Sequence, residues 1–265
     1  MRATTVEAVL VAGEIYRGRE AFARRASGDA FAQLSVAEAD SGLESEDLER
    51  LAAAGYLVGR VDDCLAAWGR AHHDHLLGGD VARAARCAFW LAFVLLNKGE
   101  LGAGGGWVHR AQRLLDDGQL DCVEQGYVRY CAALRSVFEG DVEAAHTGFA
   151  EAAMSGDRFG DPELVALARV GQGRCLIYRG EVAAGMALLD EAMVAVTAQE
   201  VSPAAVGDLY CTVIEGCQER LRRNRHRDSP RYSPRLRRRS RLPPSRPPPH
   251  RTRLLALLPA HAVKT

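Results

Sequence analysis

Apolar residues recur along this chain at helical spacing, in paired stripes separated by glycine. Before Gly99, Ala88, Leu91, Ala92 and Leu95 fall at i, i+3, i+4 and i+7, one face of a helix. After it, Ala103, Trp107, Val108, Ala111, Leu114 and Leu115 form a second stripe. The unit repeats. Gly59, Gly99, Gly140 and Gly180 lie 40, 41 and 40 residues apart. Five positions after each comes a small residue (Cys64, Gly104, Ala145, Gly185), nine after a large apolar one (Trp68, Val108, Phe149, Leu189), and twelve after an alanine (Ala71, Ala111, Ala152, Ala192).

Recurrence at this period predicts stacked helix pairs, here over residues 14–41, 46–79, 81–117, 122–157 and 161–198. Glycine between the helices of a pair suits a left-handed turn residue. Asp141 and Glu181 then open second helices and favour their dipoles. The small residue at +5 lets the helices of a pair approach, and the alanine at +12 leaves room for the next pair. Gly28-Asp29, followed by Ala32, Val36 and Ala39, reads as a degenerate first unit. Pro162 suits a helix start, and Ser202-Pro203 marks a break before a sixth unit. That unit begins over Ala204–Glu219, through Leu209, Val213 and Cys217, and its periodicity then disappears.

The pattern resembles the tetratricopeptide repeat, with Ala52, Ala92, Ala133 and Gly173 as the small residue of each first helix. The fold expected is all-α: a right-handed solenoid of about five tetratricopeptide-like helix pairs plus an incomplete sixth over residues 1–219. A disordered basic tail is expected over 220–265. Charge separates the two parts. Residues 1–219 carry 33 acidic and 19 basic side chains, while 220–265 carry 15 basic ones and a single acid, Asp228. Eight of the ten prolines and none of the 26 glycines fall in the tail, a composition that cannot build a core.

The stretches over 83–100, 148–198 and 201–219 resemble the helical-repeat region of LuxR-type actinobacterial transcriptional regulators. The resemblance covers about residues 15–219 and implies further repeats and a DNA-binding helix-turn-helix beyond Glu219. This chain departs from the family there and shows neither. Wrong-frame translation of GC-rich DNA yields Arg, Pro, Ser, His and Leu, so a frameshift explains the tail; an authentic basic tail is the alternative. Its fourteen arginines would hold phosphate backbones non-specifically.

Little else in the sequence carries chemistry. His72, His73, Asp74 and His75, with Asp80 beyond, are the nearest approach to a metal cluster, but zinc sites need three or four convergent ligands, and histidines at a helix end also suit its dipole. Gly102, Gly104, Gly105 and Gly106 have no preceding strand and no following Gly-Lys-Ser/Thr, so they do not read as a phosphate loop. Gly171 and Gly173 fall within a first helix. Glu139, Asp141 and Glu143 read as a solvated turn. The seven cysteines form no C-x-x-C pair and read as free thiols in a reducing cytoplasm. Ala8–Gly13, bounded by Glu7 and Glu14, is too short for a secretory signal. Cys87–Leu96 is about half a membrane span.

No catalytic, cofactor-binding or metal residue is therefore assigned, and the partner-binding residues are unknown from sequence. The function expected is a cytoplasmic, non-enzymatic interaction or scaffold module and the remnant of a regulator. It would bind a protein or peptide, in a negatively charged concave groove, or another copy of itself. A regulator acting through DNA is the alternative, with its helix-turn-helix lost or in another frame.

Overall fold

The computed structural model describes residues 2–227, with side chains over 11–222. The described residues form α-helices joined by short turns, without a strand: α1 (Arg2–Ala23), α2 (Ser27–Ser41), α3 (Ser45–Leu57), α4 (Val61–Leu77), α5 (Val81–Asn97), α6 (Leu101–Asp117), α7 (Glu124–Glu139), α8 (Val142–Phe159), α9 (Pro162–Arg179), α10 (Val182–Thr197) and α11 (Pro203–Arg227). Each packs on the next in chain order, so the fold is an all-α helical-repeat solenoid.

The periodic residues build the core as the spacing requires. All four residues at +5, all four at +9 and all four at +12 are buried. Ala52, Ala92, Ala133 and Gly173 are buried facing them. Where both facing residues are glycine, the backbones themselves touch. A Cβ on Gly185 would lie 2.5 Å from the Gly173 carbonyl oxygen, and one on Gly173 would lie 2.7 Å from that of Gly185.

Helix ends follow a common rule. Gly59, Gly79, Gly99, Gln119, Gly140, Gly160, Gly180 and Gln199 all have positive φ, at intervals of 19 to 21 residues. Behind each, the next residue's N–H returns to a carbonyl five positions back, as Arg60 does to Gly55 at 2.8 Å and Asp141 to Ser136 at 2.9 Å. This bond satisfies a carbonyl that the helix leaves open and turns the chain back. Asp80, Asp141 and Asp161 then cap the following helix by accepting from the N–H three residues on. Pro162 is the first residue of α9, and Ser202 precedes Pro203 at the start of α11.

Two sequence expectations are corrected. The first unit is not degenerate but shifted: its turn residue is Arg25, at φ 59°, and Gly28 lies inside α2. Counted from Arg25, the offsets recover Ala30, Leu34 and Ala37, all fully buried, with Gly18 as the small residue of α1. Val36, by contrast, is exposed. A left-handed arginine costs roughly 1 kcal/mol, which packing of the pair outweighs. The second correction concerns Glu219. Helix α11 runs eight residues past it to Arg227, because arginine and leucine favour helix and no proline intervenes before Pro230. Residues 228–265, which hold most of the predicted disordered tail, lie outside the described residues.

Candidate interaction surface

The odd-numbered helices pack against one another across the repeats, α1 on α3, α5 on α7 and α7 on α9, whereas even-numbered helices make at most marginal contact. The stack therefore curves with its odd helices on the inner side. Aromatic rings fill that side. Tyr56 of α3, Phe93 of α5 and Tyr130 of α7 form a chain with centroids 6.5 and 6.3 Å apart, and Phe149 lies 5.2 Å beyond Tyr130.

Helix α11 crosses this inner side. It packs on α9 and α10 and also reaches α3, in the second helix pair of the stack. Its inward stripe includes Ala205, Leu209, Thr212 and Gly216, all buried. Gly216 is pinned beneath α9 and α10: a Cβ there would meet Leu189 at 2.7 Å and Ile177 at 3.2 Å. Polar contacts latch the same face. Arg174 pairs with Glu215 at 3.0 Å and donates from Nε to the Tyr178 hydroxyl at 3.2 Å. Asp208 accepts from the Asn97 amide at 3.5 Å, a contact at the limit of hydrogen bonding that spans 111 residues of chain. The Asp208 carboxyl is pushed up to about 6: burial raises it most, Arg174 opposes this, Glu215 adds to it and the Asn97 bond lowers it. The concave side, expected from sequence as an acidic groove, is thus occupied across α3 to α9 by the chain's own last helix.

The outward face of α11 is different. Tyr210, Ile214 and Leu221 are 47, 54 and 57 % exposed, and Cys217 between them is exposed as well. Their spacing of four, three and four residues makes a straight apolar seam, the geometry that meets one partner helix. It lies on a first helix that lacks a following second helix among the described residues.

The histidine cluster divides. His72 and His75 are buried, while His73 is exposed. His72 Nδ1 lies 2.7 Å from the Ala84 carbonyl, and its Nε2 lies 3.0 Å from Arg110 Nε. These partners assign the proton to Nδ1 and make Nε2 the acceptor. Burial holds the His72 pKa below its ordinary value; the Ala84 bond opposes this and Arg110 adds to it. The Trp107 ring stands perpendicular to the imidazole, its centroid 5.1 Å away. His72 is thus a neutral core histidine joining α4, α5 and α6. His75 points elsewhere, with Nε2 2.6 Å from Glu49 Oε1 and the thiol of Cys87 nearby. Asp80 caps α5 and takes no part. Glu49 and Cys87 escaped sequence reading because they sit on α3 and α5, away from the H-H-D-H run.

The glycine-rich stretch opens α6: Gly104 and Gly105 are buried, while Gly102 and Gly106 face open space. Gly171 and Gly173 are buried in α9 against Phe149 and Gly185. Glu139 precedes the turn at Gly140, Asp141 caps α8 and Glu143 pairs with Arg179 at 3.1 Å. All seven cysteines are free. No helix among the described residues is long and apolar enough to cross a membrane. No protein-family model matches the chain, and no curated protein matches it.

Proposed function

We propose that the chain is a non-enzymatic protein-interaction module whose docking surface is the outer face of α11. One observation carries this reading: the exposed seam of Tyr210, Ile214, Cys217 and Leu221, on a helix that no following second helix covers among the described residues. A seam with heptad spacing accepts one amphipathic helix. A second α11 has that form and presents a self-complementary surface for a two-fold pair, so the occupant is another copy of this chain. The residues resembling LuxR-type regulators support an origin as the repeat region of such a regulator, and the free thiols support a cytoplasmic setting.

Sedimentation equilibrium of the full chain checks the proposal. The wild type is expected to form dimers, and Ile214→Glu to dissociate them with helical content unchanged by circular dichroism. A wild type that remains monomeric throughout the concentration series rejects self-association through this seam.

A further inference from the structure

Helices α3, α4 and α5 meet at a point where three different donors converge. Glu49 of α3, His75 of α4 and Cys87 of α5 each turn one ligand-type atom inward, and all three atoms lie within 4.8 Å of one another. Cys87 and His75 are buried. The Glu49 side chain, 29 % exposed, forms the side open to solvent. Among the described residues this is the one group of three such donors that comes so close.

The repeat register shows that packing does not demand these residue types. His75 lies sixteen positions after Gly59, and the same place after the next three turn glycines holds Leu115, Gly156 and Val196. Glu49 lies ten positions before Gly59, where the later repeats hold Phe89, Tyr130 and Val170. Cys87 lies twelve before Gly99, and its counterparts are Asp47, Val128 and Ala168. With the exception of Asp47, the fold fills these positions elsewhere with apolar or small side chains. At one junction all three carry donors, aimed at one centre.

We propose that Glu49, His75 and Cys87 bind a divalent transition-metal ion of the zinc class, with a fourth position open beside Glu49. Imidazole, thiolate and carboxylate are the ligand types such an ion takes. Tetrahedral bonds of about 2.0–2.3 Å hold donors roughly 3.3–3.6 Å apart. His75 and Glu49 would part by under about 1 Å to reach that geometry. Binding replaces the His75–Glu49 hydrogen bond and exchanges the Cys87 S–H proton, released to solvent, for a sulfur–metal bond. Thiolate and carboxylate together offset the charge of the ion. The nearby cations are engaged: Arg83 bonds Glu46 at 2.7 Å, and Arg86 lies over the Tyr127 ring and pairs with Glu124 at 3.2 Å. An ion here would tie three successive helices together and stabilise the fold by mass action.

Titration of Co2+ alone into the metal-free full chain tests this. The expected result is one equivalent bound, with a sulfur-to-cobalt charge-transfer band in the near ultraviolet that Zn2+ abolishes, and a thermal midpoint that rises with added Zn2+. Cys87→Ser is expected to lose the band. Glu49→Gln keeps a hydrogen-bond partner for His75, so it is expected to stay folded and to bind Co2+ at least about tenfold more weakly. His73→Gln, altered at an exposed neighbour, is expected to bind as the wild type does. A folded wild type without the band overturns the proposal, as does a band that survives Cys87→Ser. If Cys87→Ser does not fold, Glu49→Gln decides, and unchanged affinity in that variant overturns the site.

Discussion

The junction of α4 with α5 and α6 joins one helix pair to the next, the junction of α9 with α10 lies within a single pair, and the two are held by opposite means. At α9–α10, Gly173 and Gly185 bring backbone against backbone, and no side chain fits between them. At α4–α5–α6, side chains make the join: His72 bridges the Ala84 carbonyl and Arg110, perpendicular to the Trp107 ring. One stack is thus joined by steric fit within a pair and by hydrogen-bond chemistry between pairs. The first kind responds to volume and ignores pH; the second does the reverse.

The largest expected effect is at the glycine junction. Gly185→Ala would drive its methyl into the Gly173 carbonyl, an atom that cannot rotate away, so the helices must separate. A loss of about 3 kcal/mol or more is expected in urea unfolding, equal at pH 8 and pH 5. A loss below about 1 kcal/mol would show that the backbone contact is not what joins the pair.

The histidine junction should respond to acid instead. The folded state lowers the His72 pKa, so its contribution is fully present above the unfolded value of about 6.5 and is lost as pH falls through that value toward the folded one. Protonation would also turn the Nε2 acceptor into a cation facing Arg110. The wild-type thermal midpoint is expected to fall more steeply between pH 7 and pH 5 than that of His72→Leu. Parallel curves for the two proteins would refute the assignment of a neutral His72.

The smallest effect separates glycines that pack from those that do not. Gly102 and Gly106 are helical, and a Cβ on either meets nothing within 4 Å. Replacing each by alanine should stabilise the fold by about 0.5–1 kcal/mol. Gly104, between them, faces Leu96 at 2.8 Å, and its alanine variant should destabilise it. If all three substitutions shift the midpoint in the same direction, the packing distinction fails.

The repeated units were legible because their core positions carry side chains of fixed size at fixed offsets from glycine. The first unit was misplaced because Arg25, and not a glycine, takes its left-handed turn, while Gly28 supplied a false anchor three residues on. Gly18, Ala30, Leu34 and Ala37 stood at the right offsets throughout. The path of α11 across the inner side was not legible, since Asn97 and helix α3, which it reaches, are distant in sequence and carry no periodic mark. Nor was the trio of Glu49, His75 and Cys87, whose members meet only when three helices stack. Their one sequence signal is polar or thiol chemistry at register positions that other repeats fill with apolar or small residues.

The near-uniform spacing of the left-handed residues, one for each helix and its turn, bears on how such a gene can grow or shrink. Odd and even helices face opposite sides of the arc. Duplication or deletion of a single segment of about twenty codons would therefore exchange inside for outside in every later segment. Only steps of two segments, about forty codons, preserve the parity. The heritable unit of this architecture is the pair, although the turn chemistry repeats with each helix.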